Sequence, residues 1–266
     1  MNNNNKTNNK TNIKKGSFVY NHFKKVSGKI YSKYNKILVS TEEHKSYIHN
    51  LPKCSDVEID YLPQYAEDIF IEDKVDSIKD SRTIDLLFAG NIGIAQSCET
   101  IIEAAKLVQD SNLMFRIVGN GTEKDKICQM VKDYNLKNVK MYDSRPMTEM
   151  PLLYSKMDGL IVTLKNSPYA CMTLPGKVQS YLASGKPIIS AANGVTNNLV
   201  DQYGLGVSSE SDNPEAFAKA CLKFSSMSKE QRKEMSENCY RLYENQFSKE
   251  LFFNKLISEL EKYDKK

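Results

Sequence analysis

Several motifs that would assign a common enzyme class are missing from this 266-residue sequence. There is no Gly-x-x-x-x-Gly-Lys-Ser/Thr loop, which argues against a P-loop nucleotidase, and no Asp-x-Asp pair, which argues against a carboxylate-held metal ion. No serine lies in a nucleophile-elbow motif. The three histidines all precede residue 50 and lack metal-ligand spacing, so a catalytic base within residues 82–226 would have to be a carboxylate.

Long hydrophobic runs and paired cysteines are missing as well. No apolar run is long enough to span a bilayer, and no signal-peptide core is visible. The six cysteines have no paired or metal-type spacing, so reduced thiols in a cytoplasm are predicted. Because 40% of the residues are hydrophobic and the charges are mixed, the composition indicates a soluble globular protein of one large or two small domains.

Acidic residues are absent from positions 1–41, which carry nine lysines. The whole chain has a net charge of +4, so the remainder carries −5. Residues 1–16 form an Asn- and Lys-rich leader that is expected to be disordered. Residues 17–34 then repeat apolar side chains at helical spacing, with lysines on another face. The pattern predicts a basic amphipathic helix. Such a helix favours either contact with a membrane surface, through residues 17–36, or packing on a neighbouring domain.

From residue 82 onward the sequence alternates between short apolar segments and helical patterns. The apolar, β-branched segments at 84–89, 113–118, 139–142, 159–164, 187–191 and 205–208 are typical of buried parallel strands. The predicted fold is therefore α/β, a doubly wound parallel sheet of Rossmann-like type spanning 82–228, followed by C-terminal helices in 229–266. Residues 17–81 are predicted to be the remnant of a preceding Rossmann-like domain, with a polar linker over 64–80.

Small and polar residues follow the first three predicted strands of this sheet. Ligands bind at the carboxyl edge of such sheets, where these residues would meet. Each turn is also explained by ordinary chain reversal, and the dinucleotide fingerprint Gly-x-Gly-x-x-Gly is absent. The candidates are Gly90, Asn91 and Gly93 after the first strand, Gly119 after the second and Arg145 after the third.

The segment 173–190 gives the sharpest indication of a ligand. It predicts a loop, a short helix that begins near Pro175, and a buried strand. Lys177 would lie in the first helical turn, which is unfavourable for a cation unless an anion binds there. Free N–H groups at a helix N-terminus together with a lysine favour a phosphate site. This segment therefore predicts binding of a nucleotide diphosphate.

Five segments in order resemble the C-terminal, donor-binding half of the group 1 (family 4) glycosyltransferases, which have the GT-B fold. The resemblance covers about residues 30–263. Within this family, the sequence is most similar to bacterial fucosamine-transferase-type enzymes of O-antigen and capsule synthesis. The segments are Leu87–Gly93, Glu99–Ala105, Phe115–Gly121, Met150–Tyr154 and Pro175–Pro187.

The resemblance implies a UDP-linked N-acetylamino sugar as donor, and a lipid-linked or polysaccharide acceptor at the cytoplasmic face of the cell membrane. It implies no metal or other cofactor, because the nucleotide-sugar is a substrate, and no nucleic-acid partner is expected. The resemblance also implies a role for each candidate residue. Gly90, Asn91 and Gly93 would contact the donor phosphate and sugar. Gly119 and Arg145 would contact the nucleoside, and Thr173 and Lys177 would contact the diphosphate.

Two departures from the family pattern stand out. Many members carry two glutamates eight residues apart, and the matching positions here are Met172 and Ser180, which leaves Gln179 or Ser180 for the ribose contact. Most of the N-terminal acceptor domain has no counterpart, so no catalytic residue can be assigned. Three alternatives follow: the donor half of a transferase that works with a separately encoded N-terminal domain, a truncated remnant that is inactive alone, or a non-catalytic nucleotide-sugar-binding or scaffold subunit. A GT-B-like epimerase would need an acid and a base carboxylate in its cleft, and the sequence offers no convincing pair. The remaining alternative is a structural domain that binds no ligand.

Overall fold

A computed structural model of the chain describes residues 14–72 and 83–264 and divides into two compact units, one up to Tyr61 and one from Leu62. Most of the leader for which disorder is predicted, residues 1–13, lies outside the described residues, as does the second half of the predicted linker.

Within its described residues, the first unit contains two helices and two strands. Helix α1 (Phe18–Tyr31) is capped by Ser17, whose Oγ accepts a hydrogen bond of 3.2 Å from the Tyr20 amide. Strand β1 (Lys36–Val39), helix α2 (Glu42–His49) and strand β2 (Glu58–Tyr61) follow, and the two strands pair in parallel. A small core of buried side chains holds the unit together: Val39, Ile48, Leu51, Cys54 and Ile59.

The second unit is built on a six-stranded parallel sheet, which confirms the predicted fold class. Its strand order is β5-β4-β3-β6-β7-β8, so the order reverses between β3 and β6, where α/β sheets open a crevice at their carboxyl ends. The strands are β3 (Ile84–Ala89), β4 (Leu113–Val118), β5 (Val139–Tyr142), β6 (Gly159–Thr163), β7 (Ile188–Ala191) and β8 (Gly206–Ser209).

Helices cover both faces of this sheet. Side chains of β3 alternate between two apolar clusters, with Leu86 and Phe88 on one face and Leu87 and Ala89 on the other. The helices are α3 (Ile69–Glu72), α4 (Cys98–Leu107), α5 (Lys124–Asp133), α6 (Met150–Ser155), α7 (Pro168–Cys171), α8 (Gly176–Ala183), α9 (Val195–Gln202), α10 (Pro214–Ser225), α11 (Lys229–Leu242) and α12 (Lys249–Asp264).

The stretch from Gln64 onward differs from the predicted polar linker. Ala66 is buried, and Phe70 on α3 is 2% exposed. The Phe70 ring stacks on that of Tyr154, with centroids 5.5 Å apart. The polar residues between these apolar positions make the helical spacing hard to recognise in the sequence. Burial of the whole Phe70 side chain nevertheless contributes enough free energy to keep this segment packed against the sheet unit. The described half of the predicted linker is therefore part of the second unit's core.

Candidate functional site

A cavity of about 490 Å³ opens at the carboxyl ends of β3, β4 and β5, beside the start of α8. Its size lies within the range of small-molecule sites. Its lining combines strand-end residues with side chains from α3, α6 and α8: Phe70, Ala89, Gly90, Asn91, Val118, Gly119, Asn120, Ser144, Arg145, Met147, Met150, Tyr154, Gly176, Lys177 and Ser180.

Lys177 is the most unusual residue of this cavity. Its ammonium nitrogen is buried, and no protein atom in the described part of the chain accepts a hydrogen bond from it. The nitrogen lies 3.8 Å from the centroid of the Phe88 ring. Burial lowers the pKa of Lys177 to about 8, although the nearby Cys98 thiol acts in the opposite direction. A buried cation that only an aromatic face stabilises is costly, and an anion in the cavity would remove that cost.

The first turn of α8 adds N–H donors at the same place. Pro175 is the N-cap residue in an extended conformation, and no side chain of the described residues caps this helix. The Gln179 side chain is turned back into the helix start. When its amide is oriented to satisfy both groups, its nitrogen donates to the carbonyls of Gly176 and Pro175 at 2.9 and 3.0 Å. The uncapped N–H groups and Lys177 therefore form one positive region.

Two glycines allow the ends of β3 and β4 to meet through backbone alone. A Cβ atom on Gly119 would lie 1.9 Å from the carbonyl oxygen of Gly90. Gly90 has a φ of +139°, which L side chains rarely adopt, and a Cβ there would lie 3.1 Å from Lys177 Nζ. A larger residue at Gly90 would therefore push into the space in which Lys177 lies, and one at Gly119 would collide with the Gly90 backbone.

Six of the nine residues predicted for the site line the cavity: Gly90, Asn91, Gly119, Arg145, Lys177 and Ser180. Gly93 is buried beside the Asn91 amide, which donates to Gln96 Oε1 at 3.1 Å. The Thr173 hydroxyl donates to the Tyr169 carbonyl at 2.9 Å. Gln179 is only 3% exposed. Of the two ribose candidates, Ser180 is thus the one whose side chain borders the cavity.

Arg145 belongs to a polar rim made by the loops after β4 and β5. Its Nη1 lies 3.5 Å from Glu149 Oε2, and its side chain is about half exposed. Asn120 donates to Ser144 Oγ at 3.1 Å and accepts from Lys124 Nζ at 2.6 Å. Arg145 is therefore held loosely enough to turn towards a ligand.

An apolar wall faces the same cavity and was not predicted. It consists of the stacked Phe70 and Tyr154 rings together with Met147 and Met150. Phe70 was missed because it lies in the predicted linker, although its spacing from Ala66 is helical and could have indicated a buried residue. A cavity with a flat apolar wall and one positive end suits a ligand that carries both a ring and phosphates.

Asp212 ties together two loops that border the carboxyl edge. It accepts hydrogen bonds from Ser97 Oγ at 2.6 Å and from the Asn166 amide at 2.8 Å, and Lys165 Nζ lies 3.2 Å away. Burial raises the pKa of Asp212, but the bonds from Ser97, Asn166 and Lys165 outweigh it and lower the pKa. Ser97 and Asp212 both have a positive φ, which indicates local strain that these contacts offset.

Within residues 14–72 and 83–264, no helix combines the length and the apolar character needed to cross a membrane.

The sequence profile of the family described as "Glycosyl transferases group 1" matches residues 70–242, well over half of the chain. The chain is 31% identical over 135 residues to the putative colanic acid biosynthesis glycosyl transferase WcaI of Escherichia coli, covering 50% of this chain and 33% of that protein. The match therefore spans about a third of that relative's length.

Solved glycosyltransferase structures share the fold. S. aureus TarM, a mutant in complex with Fondaparinux, alpha-GlcNAc-glycerol and UDP, superimposes with a TM-score of 0.67 at 20% identity, covering 87% of this chain and 45% of TarM. Anabaena HepE in complex with UDP and glucose gives a TM-score of 0.74 at 12% identity, covering 91% of this chain and 67% of HepE.

Proposed function

This chain belongs to the group 1 glycosyltransferase family, and we propose that its cavity binds the donor of a sugar transfer, a UDP-linked N-acetylamino sugar. The observation that carries this proposal is the buried, unpaired ammonium of Lys177 beside the uncapped start of α8. A diphosphate would supply the missing negative charge, and its oxygens would accept hydrogen bonds from the N–H groups in the first turn of α8. The two structural neighbours that contain UDP support the choice of nucleotide.

The remaining cavity residues fit the other parts of such a donor. In this proposal Gly90 and Asn91 border the β-phosphate and sugar, while Gly119 and Arg145 border the nucleoside. Ser180 is the candidate for the ribose, since Gln179 bonds within its own helix. Gly93 and Thr173 support the neighbouring loops in this proposal, because both lie outside the cavity lining.

The same positive region would assist the transfer. The bond between the anomeric carbon and the β-phosphate oxygen breaks, the acceptor hydroxyl oxygen bonds to that carbon, and the hydroxyl proton passes to a base. Negative charge grows on the departing UDP, so Lys177 and the α8 N–H groups would stabilise the transition state. Because the chain itself supplies this positive charge, the proposal includes no metal or other cofactor.

The base is not among the residues that line the cavity, since all of these are described and none is Asp, Glu or His. In this proposal the acceptor and the base belong to an acceptor domain, encoded with this chain or separately. The same observation favours a second candidate, a non-catalytic subunit that binds a nucleotide-sugar for a partner. Both candidates bind the nucleotide-sugar, so only an assay for sugar transfer distinguishes the transferase from the non-catalytic subunit.

The acceptor in this proposal is a lipid-linked or polysaccharide glycan of the cell surface, used at the cytoplasmic face of the membrane. The sequence resemblance to fucosamine-transferase-type enzymes supports this choice, and so does the printed name of the E. coli relative, a colanic acid biosynthesis protein.

Calorimetric titration of the chain with UDP, ADP and GDP tests the binding step. The proposal predicts that UDP binds most tightly and that a UDP-N-acetylamino sugar competes for the same site. Equal affinity for all three nucleotides would contradict the assignment of UDP. Adding an acceptor domain from a relative and a lipid-linked acceptor then tests transfer, and hydrolysis or transfer products would exclude the non-catalytic alternative.

A further inference from the structure

The ribose end of the cavity is lined by neutral side chains. All of the residues that line the cavity are described, and none of them is an aspartate or a glutamate. In dinucleotide sites of other α/β folds, a carboxylate accepts a hydrogen bond from the ribose 2′-hydroxyl. The proposed neighbour of the ribose here is Ser180 on α8, and this serine is only partly buried. The ribose would therefore meet a neutral hydroxyl group that water also reaches.

A neutral, partly exposed hydroxyl discriminates poorly between ribose and deoxyribose. A site rejects an analogue that lacks a hydroxyl when the loss leaves a buried protein group without a hydrogen-bond partner. A carboxylate is such a group, because its charge requires hydrogen bonds. The Ser180 hydroxyl is not, since it can turn to water or to a carbonyl of the preceding helical turn. Loss of the 2′-hydroxyl from the ligand therefore costs little free energy at this position.

The polar side chains beside the proposed nucleoside position already have protein partners. Asn120 donates to Ser144 Oγ at 3.1 Å and accepts from Lys124 Nζ at 2.6 Å. Arg145 Nη1 lies 3.5 Å from Glu149 Oε2, and the Arg145 side chain is 52% exposed. Neither Asn120 nor Arg145 is left buried without a partner when the ligand has no 2′-hydroxyl.

The apolar wall of the cavity suits a methylated pyrimidine. Met147 and Met150 line the cavity, and Met147 follows Arg145 by two residues. Methionine side chains are unbranched and flexible, so they adjust to the shape of a ligand. The methyl group of thymine would therefore gain apolar contact with this wall.

We propose that the cavity does not read the ribose 2′-hydroxyl and that it accepts sugars linked to 2′-deoxyribonucleoside diphosphates, thymidine diphosphate included, as well as UDP-sugars. This inference rests on the proposed function of the cavity as a donor site. Lys177 and the start of α8 bind the diphosphate, and the apolar wall contacts the pyrimidine. Neither interaction involves the 2′-hydroxyl.

Calorimetric titration of the full chain with three nucleotides tests this inference. UDP and 2′-deoxyuridine diphosphate (dUDP) differ only in the 2′-hydroxyl, and dUDP and thymidine diphosphate (dTDP) differ only in the methyl group of the base. The affinity for dUDP is expected to lie within about fivefold of that for UDP, and the affinity for dTDP within about fivefold of that for dUDP. A larger loss of affinity for dUDP would show that the 2′-hydroxyl is read, and a larger loss for dTDP would exclude thymidine donors. Either result would overturn the inference.

A variant that introduces a carboxylate tests the position of Ser180. Ser180→Glu should raise the preference for UDP over dUDP to about tenfold or more, because a charged acceptor gains a hydrogen bond only from the ribonucleotide. The ratio of the two affinities is the readout, since a carboxylate three residues from Lys177 lowers the affinity for both diphosphates by a similar factor. The matched control is Ser258→Glu, at an exposed position of α12, which should keep the ratio of the parent. An unchanged ratio in Ser180→Glu would show that this position does not border the ribose and would contradict the inference.

The same titrations separate this inference from the proposed function. A parent chain that binds none of the three nucleotides would refute the donor site itself. A parent chain that binds UDP and rejects dUDP would keep the donor site and contradict only the inference about the 2′-hydroxyl.

Discussion

The ammonium nitrogen of Lys177 lies 3.8 Å from the centroid of the Phe88 ring, buried and with no hydrogen-bond acceptor among the described protein atoms. A lysine kept in this state lowers the stability of the folded chain, because its charge loses hydration and gains only an aromatic face in return. The cost is consistent with a site that is complete only when an anion is bound.

Replacing this lysine should separate stability from binding. Lys177→Met should raise the free energy of unfolding by about 1–3 kcal/mol, because the desolvated charge is removed while the apolar stem is kept. The same variant should weaken UDP binding about 100-fold or more, since the counter-charge of the diphosphate is lost. Chemical denaturation and calorimetric titration measure the two effects.

Lys186 is the matched control for this experiment. Its Nζ donates to the carbonyl oxygens of Ser155 and Met157 at 2.8 and 3.1 Å, so this lysine is satisfied within the fold. Lys186→Met should lower the free energy of unfolding by about 1–3 kcal/mol and leave UDP affinity unchanged. If Lys177→Met is destabilising in the same way, Lys177 has a structural role and the account of the site is wrong.

The pKa of Lys177 predicts how UDP affinity depends on pH. In the free chain burial lowers this pKa to about 8, and a bound diphosphate would raise it. The affinity should therefore be constant from pH 7 to about 8 and then fall up to tenfold per pH unit as the free chain loses this proton. Phosphate groups titrate near pH 6, so the diphosphate keeps its full negative charge from about pH 8 upward, where the affinity is expected to fall.

Titrations in buffers of different ionisation enthalpy measure this linkage directly. Near pH 9 binding should be accompanied by uptake of up to one proton, whereas near pH 7 the uptake should vanish. A UDP affinity that stays constant up to pH 10 would show that Lys177 does not meet the diphosphate.

The backbone contact between Gly90 and Gly119 predicts a sharp difference among glycines of the same cavity. Gly119→Ala should destabilise the chain by about 2 kcal/mol or more and weaken UDP binding, because its Cβ would lie 1.9 Å from the Gly90 oxygen and force the two strand ends apart. Gly176→Ala is the control, since an added Cβ meets nothing within 4 Å there. Equal effects of both substitutions on thermal unfolding would refute this packing argument.

Asp212 is expected to position the loops at the edge of the site. Asp212→Asn removes the charge that faces Lys165 and one acceptor for the Ser97 and Asn166 donors, so the free energy of unfolding should fall by about 1–2 kcal/mol near neutral pH. The pKa of Asp212 is lowered by these contacts, so the difference from the parent should shrink as the pH falls through that pKa. Asp110→Asn, at an exposed position, should change neither quantity.

Much of the fold was predictable because the apolar pattern of single segments agrees with the burial that a parallel sheet requires. The strand Ile84–Ala89 is an apolar run that is buried on both faces, which is what a central strand of a parallel sheet requires, and strands β6 and β7 follow the same pattern. The stretch near Phe70 was not predictable from composition, since its polar neighbours dominate the sequence while one buried ring decides the structure.

The grouping of candidate residues at one cavity was predictable in position and less so in detail. Lys177 was identified because a cation is unfavourable in a first helical turn, but its place over Phe88 depends on how α8 packs against β3. The choice between Gln179 and Ser180 could not be made from the sequence. Neighbouring helical positions point about 100° apart, and only the packing shows which of them faces the cavity.

The most direct test is a calorimetric titration of the parent chain and of Lys177→Met with UDP at pH 7. The parent is expected to have one site with a Kd below about 1 mM, the upper end of the usual range for enzyme substrates, and the more stable variant is expected to give no measurable heat. If the parent fails to bind UDP at that concentration, or the variant binds it as well as the parent, Lys177 does not hold a UDP diphosphate.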